Sequence, residues 1–166
     1  KGIVWPVPFS INEVLKKRNK KVVVLASGNP FWFGVGGTIS DHVDSSEWIC
    51  IPSPSTFSLA ASRLGWRLEE VRCLGLHASP INQLKNIAIN GEKLFLLCRD
   101  GLAVTELKAW FQKNNFLDST FWIMESLGGP RERIRKIKIN QNFNYKVSHP
   151  VTVAVEVRGL NSLSTF

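Results

Sequence analysis

The chain has 166 residues, 44% of them hydrophobic and 20% charged, with a net charge of +8. That length and balance do not suggest disorder and suit one ordinary domain or two small lobes with a buried core. No stretch approaches the roughly 18 consecutive apolar residues of a membrane span, and the three cysteines and three histidines are scattered, which argues against a disulfide framework or a metal site.

In chain order, "PFSINEVLKKRNK" (8–20) predicts a helix, with Ser10 as N-cap and Glu13 completing a capping box. "KVVVLAS" (21–27) predicts a strand buried on both faces, as in a parallel sheet. A loop in which three consecutive aromatics precede three glycines, "GNPFWFGVGG", leads into a short helix over 37–43. "EWICIPS" (47–53) predicts a second buried strand, and residues 53–65 a helix with Ser or Thr at its start and Gly65 as its stop. Such alternation implies a parallel α/β layer with right-handed crossovers.

The second half continues with strands expected at 69–77 and 92–98 and a short helix over 81–90 between them. A helix over 101–115 carries an expected inner stripe of Leu102, Leu107, Trp110 and Phe111. Three strands follow, at 119–126, 131–140 and 151–159, without a helix among them, which implies a mixed sheet with antiparallel members. The expected division is 1–66 for the first lobe, 67–158 for the second, and 159–166 as a linker-like tail, with the boundary near 65–70.

Three stretches are candidates for chemistry. In the loop after the first strand, Gly34-x-Gly36 starts like a dinucleotide fingerprint, but Ile39 breaks the pattern, and no Walker lysine is present. The loop nevertheless leaves the carboxyl end of an expected parallel strand, where open α/β sheets bind ligands. A βα turn packed by glycine accounts for it equally well. The second stretch, "CIPSPSTFSLAA", places Ser55 and Thr56 at a helix start, as caps or as ligand contacts. The third, "ESLGGPRERIRK", turns at Gly128-Gly129-Pro130 and returns with five cations in residues 131–138. Those cations either protect an edge strand or face a polycarboxylate. The cationic run at 16–21 reads as a solvated helix end. The acids Asp41, Asp44, Asp100, Glu125 and Glu132 form no evident pair, and no nucleophile constellation is visible. The silence suits an enzyme that aligns a reactive cofactor with a nucleophilic substrate. The other reading is a non-catalytic basic α/β module that binds nucleic acid or another polyanion.

Taken in order, "LASGNPFWFGVGGTI", "IPSPSTFSLAASRLGW", "GLHASP" and "ESLGGPRERIR" resemble the tetrapyrrole methylase superfamily, over nearly the whole chain. Within it the likeness is to the C5-methylating half of the bifunctional precorrin methyltransferases of cobalamin biosynthesis. The resemblance implies an α/β, two-lobed fold, with a parallel sheet in the first lobe and a mixed sheet in the second. It implies S-adenosylmethionine (SAM) as cofactor, a polycarboxylate tetrapyrrole as substrate, a homodimer, a downstream second methyltransferase domain, and a cytoplasmic setting without membrane or nucleic acid. By position it assigns Gly28, Asn29, Pro30, Trp32, Phe33, Ser55, Thr56, Phe57, Leu97, Cys98, Gly128, Gly129 and Pro130 to the cofactor. Substrate contacts are expected from His77, Arg131, Arg133 and Arg135. Three departures stand out: Asn29 where the family has Asp, Ser79 where it has Arg, and a first strand with its glycine-rich loop that would precede Lys1.

Overall fold

The computed structural model describes residues 2–6, 9–76 and 80–159. Two units divide the chain, Lys1–Ser55 and Thr56–Phe166. The division falls upstream of the expected 65–70, because helix α3 (Thr56–Leu64) belongs to the second unit's core.

The second unit holds a five-stranded sheet of β1 (Val71–Gly75), β2 (Lys93–Cys98), β3 (Thr120–Glu125), β4 (Arg133–Lys138) and β5 (Val151–Glu156). Their order is β1-β2-β5-β3-β4, with β1 and β2 parallel and every other pairing antiparallel, so the sheet is mixed as expected. The last strand inserts between β2 and β3. In register, Cys98 and Glu125 both lie opposite Val151, and Glu125 lies opposite Arg133, so four strand ends share one level.

One face of the sheet is covered by α4 (Gly101–Lys113), whose buried Val104, Leu107, Lys108 and Phe111 follow helical spacing. Leu102, expected on that stripe, is instead 63% exposed, since its position one residue inside the N-terminus faces away from the Val104–Leu107–Phe111 row. Asp100 caps the helix, its Oδ1 accepting from the Ala103 amide at 2.9 Å. α3 covers the opposite face through Phe57, Ala60 and Ala61. Its stop is Gly65, at φ +64°, and the following Trp66 amide donates back to the Ala61 carbonyl at 3.0 Å. Trp66 then stacks on Phe95 with centroids 5.4 Å apart. Each fully buried Phe or Leu of these two layers contributes about 1.5–3 kcal/mol by leaving water.

The first unit has α1 (Asn12–Leu15) and α2 (Val35–Ser40), and no strand among the described residues. The helix expected over 8–20 is only four residues long. Its capping box is absent: Ile11 is the N-cap, and Ser10 Oγ accepts from Asn12 at 3.3 Å. Lys16, Lys17, Arg18, Lys20 and Lys21 repel one another along a helix, and within it Glu13 pairs directly with Lys16, at 2.8 Å. Asn19, at φ +69°, turns the chain out of the helix.

The two expected strands at 21–27 and 47–53 are likewise not formed. Among the described residues, the one backbone hydrogen bond that joins the segments runs from Ser53 N to Gly28 O, 3.1 Å, beyond the apolar stretches themselves. A β-ladder needs a neighbour on each residue's N–H and C=O, and residues 22–26 and 49–51 have none there. Val23, Leu25, Ile49 and Ile51 are all more than four-fifths exposed. Both runs line a hollow of about 900 Å³, together with Val35 and Ile39 of α2. Arg18, ahead of the first run, and Glu47, at the start of the second, form a bidentate ion pair at 2.5 and 3.1 Å.

Candidate functional site at the carboxyl ends of β2 and β3

In the first unit, the aromatic loop is organised around Pro30. Gly28 sits at φ +61°, and Asn29 Oδ1 accepts from the Phe31 amide at 3.0 Å, an Asx turn that opens the loop. The Pro30 carbonyl accepts from Gly36 N at 2.8 Å. A Cβ on Gly34 or Gly36 would come within 2.6 or 2.7 Å of that same oxygen. These two glycines are therefore required by the chain's own closure of the turn onto α2. Phe31 packs on Trp48 with centroids 5.3 Å apart, and Trp32 and Phe33 remain partly exposed at 37% and 51%. Phe33 adopts φ +54°, an uncommon backbone for a bulky residue. Ser55, the last residue of this unit, is buried.

A hollow of about 210 Å³ lies in the second unit, lined by Thr56, Leu97, Cys98, Met124, Leu127, Pro150, Val151 and Thr152. It gathers the first residue of α3, the ends of β2 and β3, and the start of β5. Its character follows from the sheet. Leu97, Met124 and Thr152 come from three adjacent strands, and the mixed order brings β5 between the other two. The lining is mainly apolar, with the hydroxyl-bearing side chains Thr56 and Thr152 among it. Such a cup receives a flat apolar group and orients it with a few polar contacts. Its size is below the roughly 300–1,000 Å³ of pockets that enclose a whole drug-sized ligand, so it has room for only part of such a ligand.

Among the residues expected at the site, Thr56, Leu97 and Cys98 line this hollow. Phe57 does not: it is 1% exposed and packs on Phe95 in the core. Gly128, Gly129 and Pro130 form the turn that follows Leu127, with Gly128 at φ +77° and the Gly129 amide donating to Ser126 O at 3.0 Å. His77 and Ser79 lie outside the described residues. Cys98 is no nucleophile, because burial and the neighbouring Asp100 push its thiol up to about 12.

Arg133 and Arg135, expected to face a substrate, are instead turned to the protein. Glu125, 2% exposed, accepts from Arg133 Nε and Nη2 at 3.0 and 2.8 Å, from Arg135 Nη2, and from the Ser148 amide at 2.7 Å. A buried carboxylate without such partners carries a large desolvation cost, and the two guanidinium groups offset it. Arg135 also stacks over the Tyr145 ring, 3.4 Å from its centroid. Arg131 stays exposed. Burial raises the Glu125 pKa, but the Arg133 hydrogen bonds, the Ser148 amide and the two arginine charges outweigh it and hold the group below the usual Glu range.

Sequence reasoning missed Met124, Leu127, Pro150, Val151 and Thr152. The signal for Met124 and Leu127 was present in the strand-turn pattern "STFWIMESLGGP". No local signal reports that β5 pairs between β2 and β3.

A family model for tetrapyrrole (corrin/porphyrin) methylases matches residues 10–141. The chain is 37% identical over 153 residues to the decarboxylating precorrin-6Y C(5,15)-methyltransferase of a Sinorhizobium species, covering 92% of this chain and 37% of that protein. Among solved structures, the cobalamin-biosynthesis precorrin-6Y methylase of Archaeoglobus fulgidus aligns with a TM-score of 0.61 at 21% identity, covering 89% of this chain and 70% of its own. The uroporphyrin-III C-methyltransferase of Thermus thermophilus, solved with S-adenosylhomocysteine, aligns with a TM-score of 0.54 at 16% identity over 77% of this chain and 62% of its own. The chain thus spans about a third of the length of the precorrin-6Y methyltransferases it matches, 37% and 33% for two of them. A matched model that runs through the aromatic loop, the start of α3 and the Gly128-Gly129-Pro130 turn leaves one assignment: the chain belongs to the tetrapyrrole methylase family.

Proposed function

We propose that this chain is the SAM-binding, C-methylating part of an enzyme that transfers a methyl group to C5 of a precorrin, precorrin-6Y or a cobalt-precorrin, in cobalamin biosynthesis. The observation that carries the reading is the hollow. Thr56 is some forty residues from the adjacent pair Leu97 and Cys98, the family position assigns each of the three to the cofactor, and all three line one cup at the carboxyl end of β2. Its apolar lining, its two threonines and its volume fit part of a SAM molecule.

Bound SAM supplies a methyl group made electrophilic by its sulfonium. The chain's own task is then to bind, orient and exclude water. Leu97, Met124 and Val151 provide the apolar wall, and Thr56 and Thr152 the polar contacts. Gly28, Asn29, Pro30, Trp32, Phe33, Ser55, Gly128, Gly129 and Pro130 are proposed as further cofactor contacts on the family resemblance. Arg131 is the exposed cation proposed for a substrate carboxylate. A homodimer and a cytoplasmic setting belong to the same reading. The polyanion-binding alternative loses support, because Arg133 and Arg135 are committed to Glu125 and Arg63 to Glu132.

Titration calorimetry with S-adenosylhomocysteine tests this directly. The chain is expected to bind it one to one, Leu97→Arg to weaken binding by at least about tenfold by placing a charge in the cup, and Asn29→Arg to abolish it. Equal affinity in the Leu97 variant removes the hollow from the site, and equal affinity in the Asn29 variant removes the loop.

A further inference from the structure

Glu132 is the last acidic residue before β4, and its carboxylate joins two elements that border the hollow. Arg63 of α3 donates to it through Nε at 2.6 Å and Nη2 at 3.1 Å. The Gly128 amide donates to Oε2 of the same carboxylate at 2.7 Å. Its own amide closes the turn on the Gly129 carbonyl at 3.0 Å. One side chain thus grips the helix and the turn together.

Helical spacing extends that grip to the hollow. Thr56, Leu59 and Arg63 lie at i, i+3 and i+7, along one face of α3. Thr56 lines the cup, and Arg63 meets Glu132. Between them, Leu59 approaches the turn so closely that a Cβ on Gly128 would lie 2.9 Å from Leu59 Cδ1. On the other side of the gap, Leu127 lines the cup and is bonded directly to Gly128. The distance from Thr56 to Leu127 across the cup is therefore set by how tightly the turn is drawn onto α3.

We infer that Glu132 is a positioning residue: by holding the Gly128 amide while paired with Arg63, it fixes the width of the hollow and so tunes affinity for the cofactor. This rests on the proposed function for its ligand, and on the contacts of the Glu132 carboxylate for its geometry. An ion pair with partners 41% and 23% exposed contributes little by charge alone. The amide bond is the part that does the placing. Glutamine keeps an oxygen for that amide, and alanine does not.

The experiment uses the whole chain, with S-adenosylhomocysteine as probe and amide hydrogen exchange as a second readout. In Glu132→Ala the Gly128 amide is expected to exchange at least about tenfold faster, with affinity about tenfold lower, while amides of β3 and β5 keep their protection. Glu132→Gln is expected to retain a slow Gly128 amide and affinity within about threefold of the parent. The swap Arg63→Glu with Glu132→Arg restores opposite charges but offers Gly128 no acceptor, and is expected to behave like the alanine variant. Unchanged Gly128 exchange in Glu132→Ala, parental affinity in that variant, or full recovery in the swap each overturns the inference. Failure of the parent chain to bind the probe counts against the proposed function, and Gly128 exchange then still decides the role of Glu132.

Discussion

Glu125 shows how a single side chain can govern one end of a sheet. It sits at the end of β3, and its four donors come from β4 and from the segment that leads into β5. The charge-assisted bonds favour the ionised form more than burial disfavours it, so the folded pKa is depressed. A carboxylate of this kind contributes stability that is fully present above the unfolded value, near 4.5, and that is lost as pH falls through the lower folded value. Glu125→Gln is therefore expected to lower stability at pH 7 by about 1–3 kcal/mol and to flatten the acid side of the stability profile below about 4.5. Chemical denaturation at a series of pH values reads both. A variant whose midpoint falls with acid as steeply as the parent's would show that other groups carry the acid limb. Cys98 at the end of β2 and Cys73 on β1 have thiols pushed up by burial, to about 12 and about 11. Both are expected to resist iodoacetamide at pH 8 in the folded chain and to react once it is unfolded, with mass mapping of the labelled peptides as the check.

Elements differ in how much of them the sequence discloses, and the reason is the range of the interactions that make them. α3 is legible because its Phe57, Ala60, Ala61 stripe, its N-terminal hydroxyls and the Gly65 stop are all local. The hairpin of β3 and β4 is legible too, yet its charges were not paired in advance. Glu125 meets Arg133 only once the Gly128-Gly129-Pro130 turn fixes the register. β5 was recognisable as a strand from "VTVAVEVRG", but its place between β2 and β3 depends on pairings distant in sequence. Hence three-eighths of the cup's lining, the Pro150–Val151–Thr152 corner, stayed hidden. α1 and the two runs after it failed for another reason, since their expected form relied on patterning without counting like charges or strand neighbours. One contact tests how tightly that β5 corner is held. A Cβ on Gly101, at the start of α4, would collide with the Val147 carbonyl and lie 3.0 Å from Val147 Cβ. Gly101→Ala is expected to destabilise the chain by about 1–3 kcal/mol and to weaken S-adenosylhomocysteine binding through displacement of Pro150. A stable variant with parental affinity would show that this segment yields without consequence.

Across the whole molecule, cohesion is distributed unequally. In the second unit, β2 and β5 are paired on both edges and covered on both faces by α3 and α4, with Leu94, Leu96, Val153 and Val155 at 0% exposure. Their amides reach solvent only when the unit opens as a whole. The apolar runs of the first unit have strand-like composition but no ladder among the described residues, and their side chains reach solvent beside a hollow of about 900 Å³. Hydrophobic composition alone therefore does not make a core; each run needs backbone partners as well as cover. Amide exchange read by mass spectrometry separates the two cases. Peptides spanning 22–26 and 49–51 are expected to be fully deuterated at the earliest times, while those from β2 and β5 stay protected for at least about a thousandfold longer, as the ratio of open to closed states in a unit of ordinary stability requires. Protection of the two runs comparable to that of β2 would mean that they are paired in solution, and the unequal division of stability between the units would have to be abandoned.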